Sequence, residues 1–450
     1  KLFDANGAIV HAGVILGLQN SAATPFYGES LGASGYMQRL QVVQDLSAVG
    51  GDCLMVRTSV FKQVGGLDAD AFADSFSEVD LCLRVRQHGY LVVWTPFAVM
   101  ALGTAPVAAA DDQAQQRQTR ELETLYLRWL PIIARDPAYN PSLTLDAYSF
   151  RLDPGLRTGW SPFSERSLPS VLALPMNATA VGHYRVTQPF IELSAADRII
   201  GQIAYDAPTT IELERRTPDV IVLQGRYHEA SMEDTVRLKT FSNARRIFEL
   251  DDYVISVPKK NAHGRHMPTN LEAVVKRGIS LCDRVVVSTH ALGNALSSMH
   301  HDIRVVPNML APHLWTGRRA QRRTSFKPRV GWGGGTSHGG DLEVIAQVIR
   351  ELADEVDWVF FGMCPQELRP YLKEFHAAVS LEAYPAKLSS LNLDLALAPL
   401  EYHIFNDCKS NLRLLEYGAC GYPVICTDTE AYRGYLPCTR LTANTTEEWR

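Results

Sequence analysis

The spacing of hydrophobic residues changes near residue 170. From residue 171 onward, short apolar runs alternate with stretches in which apolar residues recur every three or four positions. This alternation predicts a parallel sheet with helices on both faces. Before residue 170 the pattern predicts a helix over Val79–Gln87, a strand over Tyr90–Thr95 and a helix through Trp129 that Pro131 disturbs.

Two alternating blocks follow one another, separated by a basic stretch without apolar periodicity. The first block predicts helices at Glu233–Phe241, Leu271–Cys282 and Ala291–Met299, and strands at Ser170–Leu174, Ile199–Tyr205, Asp219–Gln224, Arg246–Leu250, Arg284–Ser288 and Ile303–Pro307. The second predicts helices at Leu342–Ala353, Glu367–His376, Ala386–Leu391 and Leu412–Cys420, and strands at Arg329–Gly333, Trp358–Met363, Val379–Leu381, Leu393–Pro399 and Pro423–Thr427.

The predicted fold class is α/β, with a first domain followed by two doubly wound, Rossmann-like domains. The predicted segments are a first domain at 1–155, a linker at 156–170, a domain at 171–312, a linker at 313–328 and a domain at 329–450. The cleft between two doubly wound domains suits a ligand held at the carboxyl ends of their strands. The first residues resemble the interior of a domain and the last resemble the start of a helix, so we expect the chain to be cut at both ends.

The amino-acid composition argues against several classes of protein. The 450 residues are 46% hydrophobic and 21% charged, which argues against disorder and coiled coil. The net charge of −5 does not favour a general nucleic-acid binder. The eight cysteines include no C-x-x-C pair, so neither a zinc site nor a disulfide framework is predicted, and reduced thiols in a cytoplasmic protein are expected.

The strongest local motif is KSNLRLLEYGACGYPV, at 409–424. Ser410 can cap a helix whose positive end suits a phosphate, and Lys409 adds a charge there. Glu416 lies about 9 Å further along the helix axis, where its carboxylate could accept hydrogen bonds from ribose hydroxyls. The alternative is a capped amphipathic helix with one exposed glutamate.

A glycine-rich turn, GWGGGTSHGGD at 331–341, lies between a predicted strand and a predicted helix. Glycines let backbone amides approach an anion, which favours a phosphate cradle over a flexible turn. A nicotinamide dehydrogenase would need an acid after its second strand, and this sequence has Gly362-Met363-Cys364 there. Together the two motifs predict a bridging nucleoside diphosphate, with donor-binding candidates Gly333, Gly334, Gly335, Thr336, Ser337, His338, Lys409, Ser410, Asn411 and Glu416.

Two acidic pairs are candidates for proton transfer. Asp251 and Asp252 end a predicted strand, where they could orient or deprotonate a hydroxyl. Glu78 and Asp80 precede a helix in the first domain. Solvated loop carboxylates are the alternative for the first pair, and helix-start acids for the second.

The motif KSNLRLLEYGACGYPVICTD, with GWGGGTSHGGDL, resembles the nucleotide-binding domain of family 4 glycosyltransferases of the GT-B fold. The resemblance implies that Glu416 is the second glutamate of that family's E-x7-E motif and holds the donor ribose. The first glutamate would fall at Cys408, where this sequence has no acid. The stretches GHYRVTQP (182–189), FELDDY (248–253) and VVPN (305–308) are similar to the acceptor-side domain of such enzymes in surface-polysaccharide gene sets.

The first domain resembles the second half of a family 2 glycosyltransferase, of the GT-A fold. The resemblance is carried by AVGGDCLMVRTSVFKQVGGLD (48–68), FSEVDLCLRVRQHGYLVVWTP (76–96) and DPAYNPSLTLD (136–146). It implies that the catalytic base comes from the segment around Glu78 and Asp80. That family's D-x-D metal motif belongs to a half that this sequence lacks, so we expect no sugar transfer by this domain alone.

The sequence therefore predicts an enzyme that transfers a sugar from a nucleoside diphosphate sugar to a hydroxyl of a growing surface polysaccharide or glycan. The resemblance implies no cofactor for the GT-B part, and a divalent cation (Mg or Mn) only with an intact GT-A domain upstream. Expected partners are the donor and a glycan or lipid-linked glycan acceptor, with no nucleic acid. The expected location is cytoplasmic, with peripheral attachment to the inner face of a membrane left open. A non-catalytic glycan- or nucleotide-binding scaffold is the alternative.

Overall fold

The computed structural model describes residues 1–102, 112–145, 150–153, 168–262, 264, 267, 270–321 and 326–450. The strands are β1 (Leu2–Phe3), β2 (Ile9–His11), β3 (Ile15–Leu16), β4 (Ala22–Ala23), β5 (Gln44–Asp45), β6 (Val93–Trp94), β7 (Met100–Ala101), β8 (Ser170–Leu174), β9 (Ile200–Ile203), β10 (Val220–Gln224), β11 (Arg245–Leu250), β12 (Arg284–Val287), β13 (Ile303–Val305), β14 (Arg329–Gly334), β15 (Asp357–Gly362), β16 (Glu374–Ala377), β17 (Leu395–Ala398), β18 (Val424–Thr427) and β19 (Thr439–Leu441).

The α-helices are α1 (Thr58–Gln63), α2 (Ser77–Gln87), α3 (Asp112–Ala134), α4 (Ala180–Gly182), α5 (Gln188–Ala195), α6 (Thr210–Arg216), α7 (Glu229–Thr240), α8 (Leu271–Ser280), α9 (His290–Ala295), α10 (Pro312–Trp315), α11 (Gly339–Glu351), α12 (Tyr384–Ser390), α13 (Ile404–Asp407), α14 (Leu412–Cys420) and α15 (Thr446–Trp449). A π-helical turn, His183–Thr187, joins α4 to α5. Short 3-10 helices include Thr336–His338 and Gln366–Tyr371.

The chain forms two compact units. Unit 1 contains Lys1–Arg166, Pro208–Thr217 and Thr240–Ser242, and unit 2 contains the remainder. Unit 1 therefore includes α6, which lies within the domain predicted at 171–312, and Ile211 of α6 belongs to the main core cluster of this unit. Most of the predicted linker 156–170 falls outside the described residues.

Unit 1 has small sheets around two long helices. One three-stranded sheet has the order β2-β1-β7, and two two-stranded sheets pair β3 with β4 and β5 with β6. Helix α3 continues to Ala134 through Pro131, beyond the predicted end near Trp129. Leu130, Ile133 and Ala134 are buried in the core, and their packing outweighs the backbone hydrogen bond that the proline removes.

Unit 2 contains two parallel six-stranded sheets, and this confirms the predicted pair of doubly wound domains. The first Rossmann domain has the strand order β13-β12-β11-β10-β8-β9, and the second has β16-β15-β14-β17-β18-β19. All neighbouring strands in both sheets pair in parallel. In β15, Trp358 and Phe360 pack on one face while Val359 and Phe361 pack on the other, because helices cover both faces.

The sequence prediction is wrong around residues 366–381. The predicted helix Glu367–His376 is a short 3-10 helix containing Pro370 followed by β16, and the predicted strand Val379–Leu381 is not a strand. Pro370 cannot donate to a continuing helix, and Glu374 of β16 is drawn to the sheet edge by Arg329 at 2.8 Å. The predicted linker at 313–328 is also partly wrong, since α10 overlaps it and buries Trp315 in the core of the second Rossmann domain.

Candidate functional site

Both sheets of unit 2 have a switch point where ligands of doubly wound folds bind. The chain reverses its direction of strand addition between β8 and β10 in the first Rossmann domain, and between β14 and β17 in the second. Loops after these strands leave the carboxyl ends, where a crevice opens. The glycine-rich turn follows β14, at the switch point of the second domain.

The π-helical turn His183–Thr187 directs two side chains of the GHYRVTQP motif into the interior. Gly182 is required at its start, because a Cβ there would lie 1.8 Å from the carbonyl oxygen of Asn177. Pro189 has no N–H to continue regular α-helical bonding, which favours the wider turn. Tyr184 and Arg185 are both buried as a result.

Arg185 holds together the ends of β11 and β13. Its Nε donates to Glu249 Oε1 at 2.6 Å, and its Nη1 donates to Asn308 Oδ1 at 2.7 Å and to the carbonyl oxygen of Val306. Asp251 Oδ1 lies 3.9 Å from Arg185 Nε. Burial raises the pKa of Glu249, and the Arg185 charge opposes that rise. The acidic residues at the end of β11 are therefore stabilised by one buried cation, the guanidinium of Arg185.

Asp251 and Asp252 line a cavity of about 240 Å³ at this end of the first sheet. Burial, and then repulsion from Asp252, raise the pKa of Asp251 above its usual range. A carboxylate whose pKa is raised toward neutrality suits general-base work on a hydroxyl. The other lining residues include Asn177, Gln224, Tyr227, Ser337 and Phe405.

The glycine-rich turn presents backbone and side-chain donors at the start of α11. Gly335 and Thr336 are exposed, and Ser337 reaches the cavity that Asp251 and Asp252 line. No heavy atom lies within 4 Å of a Cβ built on Gly335, whereas one on Gly334 would meet Arg413 Nη2 at 2.9 Å. The turn is thus packed against α14 at one glycine and open at the next.

His338 connects this turn to α14. Its Nδ1 lies 2.6 Å from Asp341 Oδ2, and its Nε2 lies 3.1 Å from Arg413 Nη2. Burial, and then the charges of Arg413 and Lys409, lower the pKa of His338 to about 3, so the ring is neutral at physiological pH. In that form Nδ1–H donates to Asp341 and Nε2 accepts from Arg413. The two motifs singled out in the sequence therefore meet at this contact.

Arg413 is a candidate site residue that sequence reasoning missed. Its guanidinium lies over the Trp332 ring at 5.3 Å, and its Nη1 is buried with no hydrogen-bond partner within the described part of the chain. A buried guanidinium nitrogen without a partner is costly unless a ligand supplies one. The available signal was its position one turn before Glu416 on the same helix.

The start of α14 differs from the prediction. The N-cap residue is Asn411, and no side chain caps the helix, so the prediction that Ser410 caps it is wrong. Ser410 Oγ instead accepts a hydrogen bond from Asn308 Nδ2 at 2.8 Å. Lys409 Nζ lies 4.7 Å from the Phe405 ring centroid. The backbone amides at the start of α14 receive no side-chain acceptor and could meet a phosphate.

Glu416 is not exposed, in contrast to the alternative of a solvated helix residue. Only 7% of its surface is accessible, and it accepts hydrogen bonds from Tyr184 at 2.8 Å and Tyr384 at 2.9 Å. Burial raises its pKa, and the two tyrosines and Arg413 oppose that rise. Cys408, at the position of the missing acid, is buried, and its carbonyl oxygen accepts from Thr289 Oγ1 at 2.8 Å.

The remaining acidic candidates, Glu78 and Asp80, belong to unit 1. Asp80 is fully buried, pairs with Arg84 at 2.8 Å and accepts from Trp129 Nε1 at 2.9 Å. These contacts give Asp80 a structural role, in contrast to the predicted catalytic one. Glu78 is partly exposed on the first turn of α2.

Two further features of the described residues concern metals and membranes. Across the described residues, no group of three or more His, Cys, Asp or Glu side chains is arranged to hold a metal ion. None of the helices within the described ranges has the length and apolar character to cross a membrane.

Comparisons with known proteins give partial likenesses. No protein-family model matches the chain. The chain is 38% identical over 157 residues to the uncharacterized protein y4gI of Sinorhizobium fredii, and 31% identical over 158 residues to the O-antigen biosynthesis protein RfbC of Myxococcus xanthus. These matches cover 34% and 35% of this chain, but only 17% and 12% of the two relatives.

Solved structures show a distant likeness. The lipopolysaccharide outer core galactosyltransferase WaaB aligns with 63% of this chain and 88% of its own, at 12% identity and a TM-score of 0.42. Anabaena HepE, in complex with UDP and glucose, aligns with 62% of this chain and 88% of its own, at 13% identity and a TM-score of 0.41. At these values the function has to be inferred from the chemistry of the site.

Proposed function

We propose that unit 2 is a nucleotide-sugar-dependent glycosyltransferase of the GT-B type, which moves a sugar from a nucleoside diphosphate sugar to a hydroxyl of a growing glycan. The observation that carries the proposal is the contact between His338 and Arg413, which brings the glycine-rich turn to the first turn of α14. Nη1 of Arg413 is buried without a hydrogen-bond partner among the described residues, and we assign it to the donor diphosphate. The O-antigen biosynthesis relative supports a polysaccharide as the product.

The donor diphosphate has its binding groups in the second Rossmann domain. The amides after Gly334 and at the start of α14, with Lys409 and Arg413, offer hydrogen bonds and positive charge. These groups stabilise the negative charge that develops on the departing diphosphate. His338 stays neutral and orients Arg413, because its Nε2 accepts one guanidinium N–H. The carboxylate of Glu416 accepts hydrogen bonds from the ribose hydroxyls.

The acceptor hydroxyl has its binding groups in the first Rossmann domain. Asp251 and Asp252 line the cavity with Asn177, whose side-chain amide can bind another hydroxyl of a sugar. Asp251 accepts the proton of the attacking hydroxyl or orients that hydroxyl, and Arg185 fixes the end of β11 below it. The acceptor is a glycan, either free or linked to a lipid at a membrane surface.

The resemblance of unit 1 to family 2 glycosyltransferases supports a separate proposal for this unit. Glu78, on the first turn of α2, is the acid left for an acceptor after the burial of Asp80. We infer that unit 1 would bind a divalent cation with the donor only as part of an intact GT-A domain.

Calorimetric titration of the chain with UDP and GDP tests the donor site. Arg413→Gln should weaken binding of the preferred nucleoside diphosphate about 10- to 100-fold, because one charged hydrogen bond to phosphate is lost. Arg433→Gln is the matched control, since Arg433 is an exposed arginine of the same domain that pairs with Asp428 and Glu430. Equal effects of the two variants, or no binding of either nucleotide to the wild type, would contradict the assignment.

Catalysis needs a second test, because a glycan- or nucleotide-binding scaffold would also pass the titration. Two tyrosine hydroxyls already donate hydrogen bonds to Glu416, the carboxylate expected to bind the donor ribose, and this favours the scaffold. A screen for hydrolysis of nucleotide sugars, with and without EDTA, separates the two functions. A transferase releases the nucleoside diphosphate and keeps this activity in EDTA, whereas a scaffold binds without turnover.

A further inference from the structure

The segment Cys408–Glu416, here called the donor segment, is held by three side chains of the first Rossmann domain. Thr289 donates to the Cys408 carbonyl oxygen and Asn308 donates to Ser410, each at 2.8 Å. Tyr184 donates to Glu416 Oε1, also at 2.8 Å. The residues expected to bind the donor are therefore engaged by the opposite domain.

Each carboxylate oxygen of Glu416 already accepts a hydrogen bond from a tyrosine hydroxyl. Tyr184 and Tyr384 supply one hydroxyl to each carboxylate oxygen, and 7% of the residue is accessible. Two adjacent hydroxyls are also what a ribose offers. A ribose that hydrogen-bonds both oxygens of Glu416 needs the space that a tyrosine hydroxyl now fills, because the residue is buried with both hydroxyls in contact with it.

We propose that Tyr184 is an internal competitor of the donor ribose, and that it links the two Rossmann domains at Glu416 until a nucleotide replaces it. This inference rests on the proposed function. Tyr184 comes from the other domain, on a π-helical turn. Release of Tyr184 frees Glu416 and removes one link between the domains at the same time, so donor binding and opening of the cleft are coupled.

Tyr384 does not have this role. It belongs to α12 of the same domain as Glu416, and its ring stacks on Phe361 at 5.5 Å and meets the edge of Trp315 at 6.0 Å. These contacts keep its hydroxyl beside Glu416 whether or not the first domain moves. Tyr384 therefore orients the carboxylate, and Tyr184 occupies it.

Titration of the whole chain with UDP, GDP and inorganic pyrophosphate tests this competition. Tyr184→Phe should bind the preferred nucleoside diphosphate about three to ten times more tightly than the wild type, because one competing hydrogen bond is gone. Pyrophosphate, which has no ribose, should bind both proteins equally. Tyr384→Phe should not tighten nucleotide binding. Tyr422→Phe is the matched control, since its buried hydroxyl donates to carbonyl oxygens within its own domain.

The outcomes separate this inference from the proposed function. If the wild type binds a nucleoside diphosphate and Tyr184→Phe binds it no more tightly, the competition is refuted while the function stands. If pyrophosphate tightens as much as the nucleotide, the tyrosine acts on the cleft as a whole, and competition for Glu416 is refuted. If neither protein binds UDP or GDP, both proposals fall. Thermal unfolding of each variant verifies that it is folded.

Discussion

Removing Arg185 should destabilise the first Rossmann domain more than any surface change. Arg185→Met keeps most of the side-chain volume but leaves Glu249 as a buried carboxylate without its cation, 2.6 Å from where the guanidinium was. Breaking a buried ion pair costs about 3–5 kcal/mol of unfolding free energy. The amide oxygen of Asn308 also loses a donor at 2.7 Å, which places the expected loss at the upper part of that range.

A double variant and a pH series test this reasoning. Arg185→Met with Glu249→Gln removes the unpaired charge, so the loss should fall to about 1–2 kcal/mol. Without Arg185 the pKa of Glu249, already raised by burial, rises further. When the pKa of a carboxyl group is higher in the folded than in the unfolded protein, the group's contribution to the free energy of unfolding is fully present at low pH. That contribution is lost as pH rises through the folded pKa. The free energy of unfolding that Arg185→Met loses relative to the wild type should therefore become smaller as pH falls from neutral into the acidic range.

Hydrogen exchange of the β10–β12 amides gives the local free energy of opening of the first sheet. A single melting curve would combine the unfolding of both units and could not give this local value. Urea unfolding followed by circular dichroism gives the global value. A loss below about 1 kcal/mol, or a double variant no more stable than Arg185→Met, would show that Arg185 does not neutralise Glu249 in solution.

Three further changes have defined outcomes. Glu416→Ala should weaken nucleoside diphosphate binding by about 1–3 kcal/mol in a calorimetric titration, and unchanged affinity would remove Glu416 from the donor site. Transfer activity should decline as pH falls through the raised pKa of Asp251, since the base must be ionised, and a pH–rate profile of Asp251→Asn that keeps the same acid limb would refute this role. Gly182→Ala should lower the unfolding free energy by about 2–3 kcal/mol, because its Cβ meets the Asn177 carbonyl, whereas Gly418→Ala, in an open helical position, should be neutral or stabilising in the same unfolding measurement.

The alternation of apolar runs was sufficient to predict the two parallel sheets. In strands buried on both faces, such as β10 and β15, nearly every residue is apolar, so the strand is visible without any alignment. The prediction was wrong where an edge strand carries polar residues. Glu374 and His376 of β16 are partly exposed and contact each other, and Glu374 also pairs with Arg329; such polar residues resemble a helix surface more than a strand.

The candidate site could be placed from the sequence only in part. The glycine-rich turn and the helix after Ser410 were both visible as motifs, and the structure brings them together. The engagement of Glu416 could not be predicted, because Tyr184 is 232 positions away and reaches it only through a π-helical turn. The burial of Asp80 could not be predicted, because an acid at a helix start is ordinary in sequence and its partner Trp129 lies 49 residues away.

The two Rossmann domains of unit 2 carry different charges at the candidate site, and this difference suits the proposed sugar transfer. The first ends its strands in carboxylates, at Asp251 and Asp252, and holds its cation, Arg185, beneath them in the interior. The second places cations at the same end, at Lys409 and Arg413, and keeps its histidine neutral. In the proposed reaction, an anionic donor would be attracted by the cations of the second domain and repelled by the carboxylates of the first, so we expect its diphosphate to lie against the second domain. The sugar would then lie toward the carboxylates, where a neutral acceptor hydroxyl can approach without opposing charge.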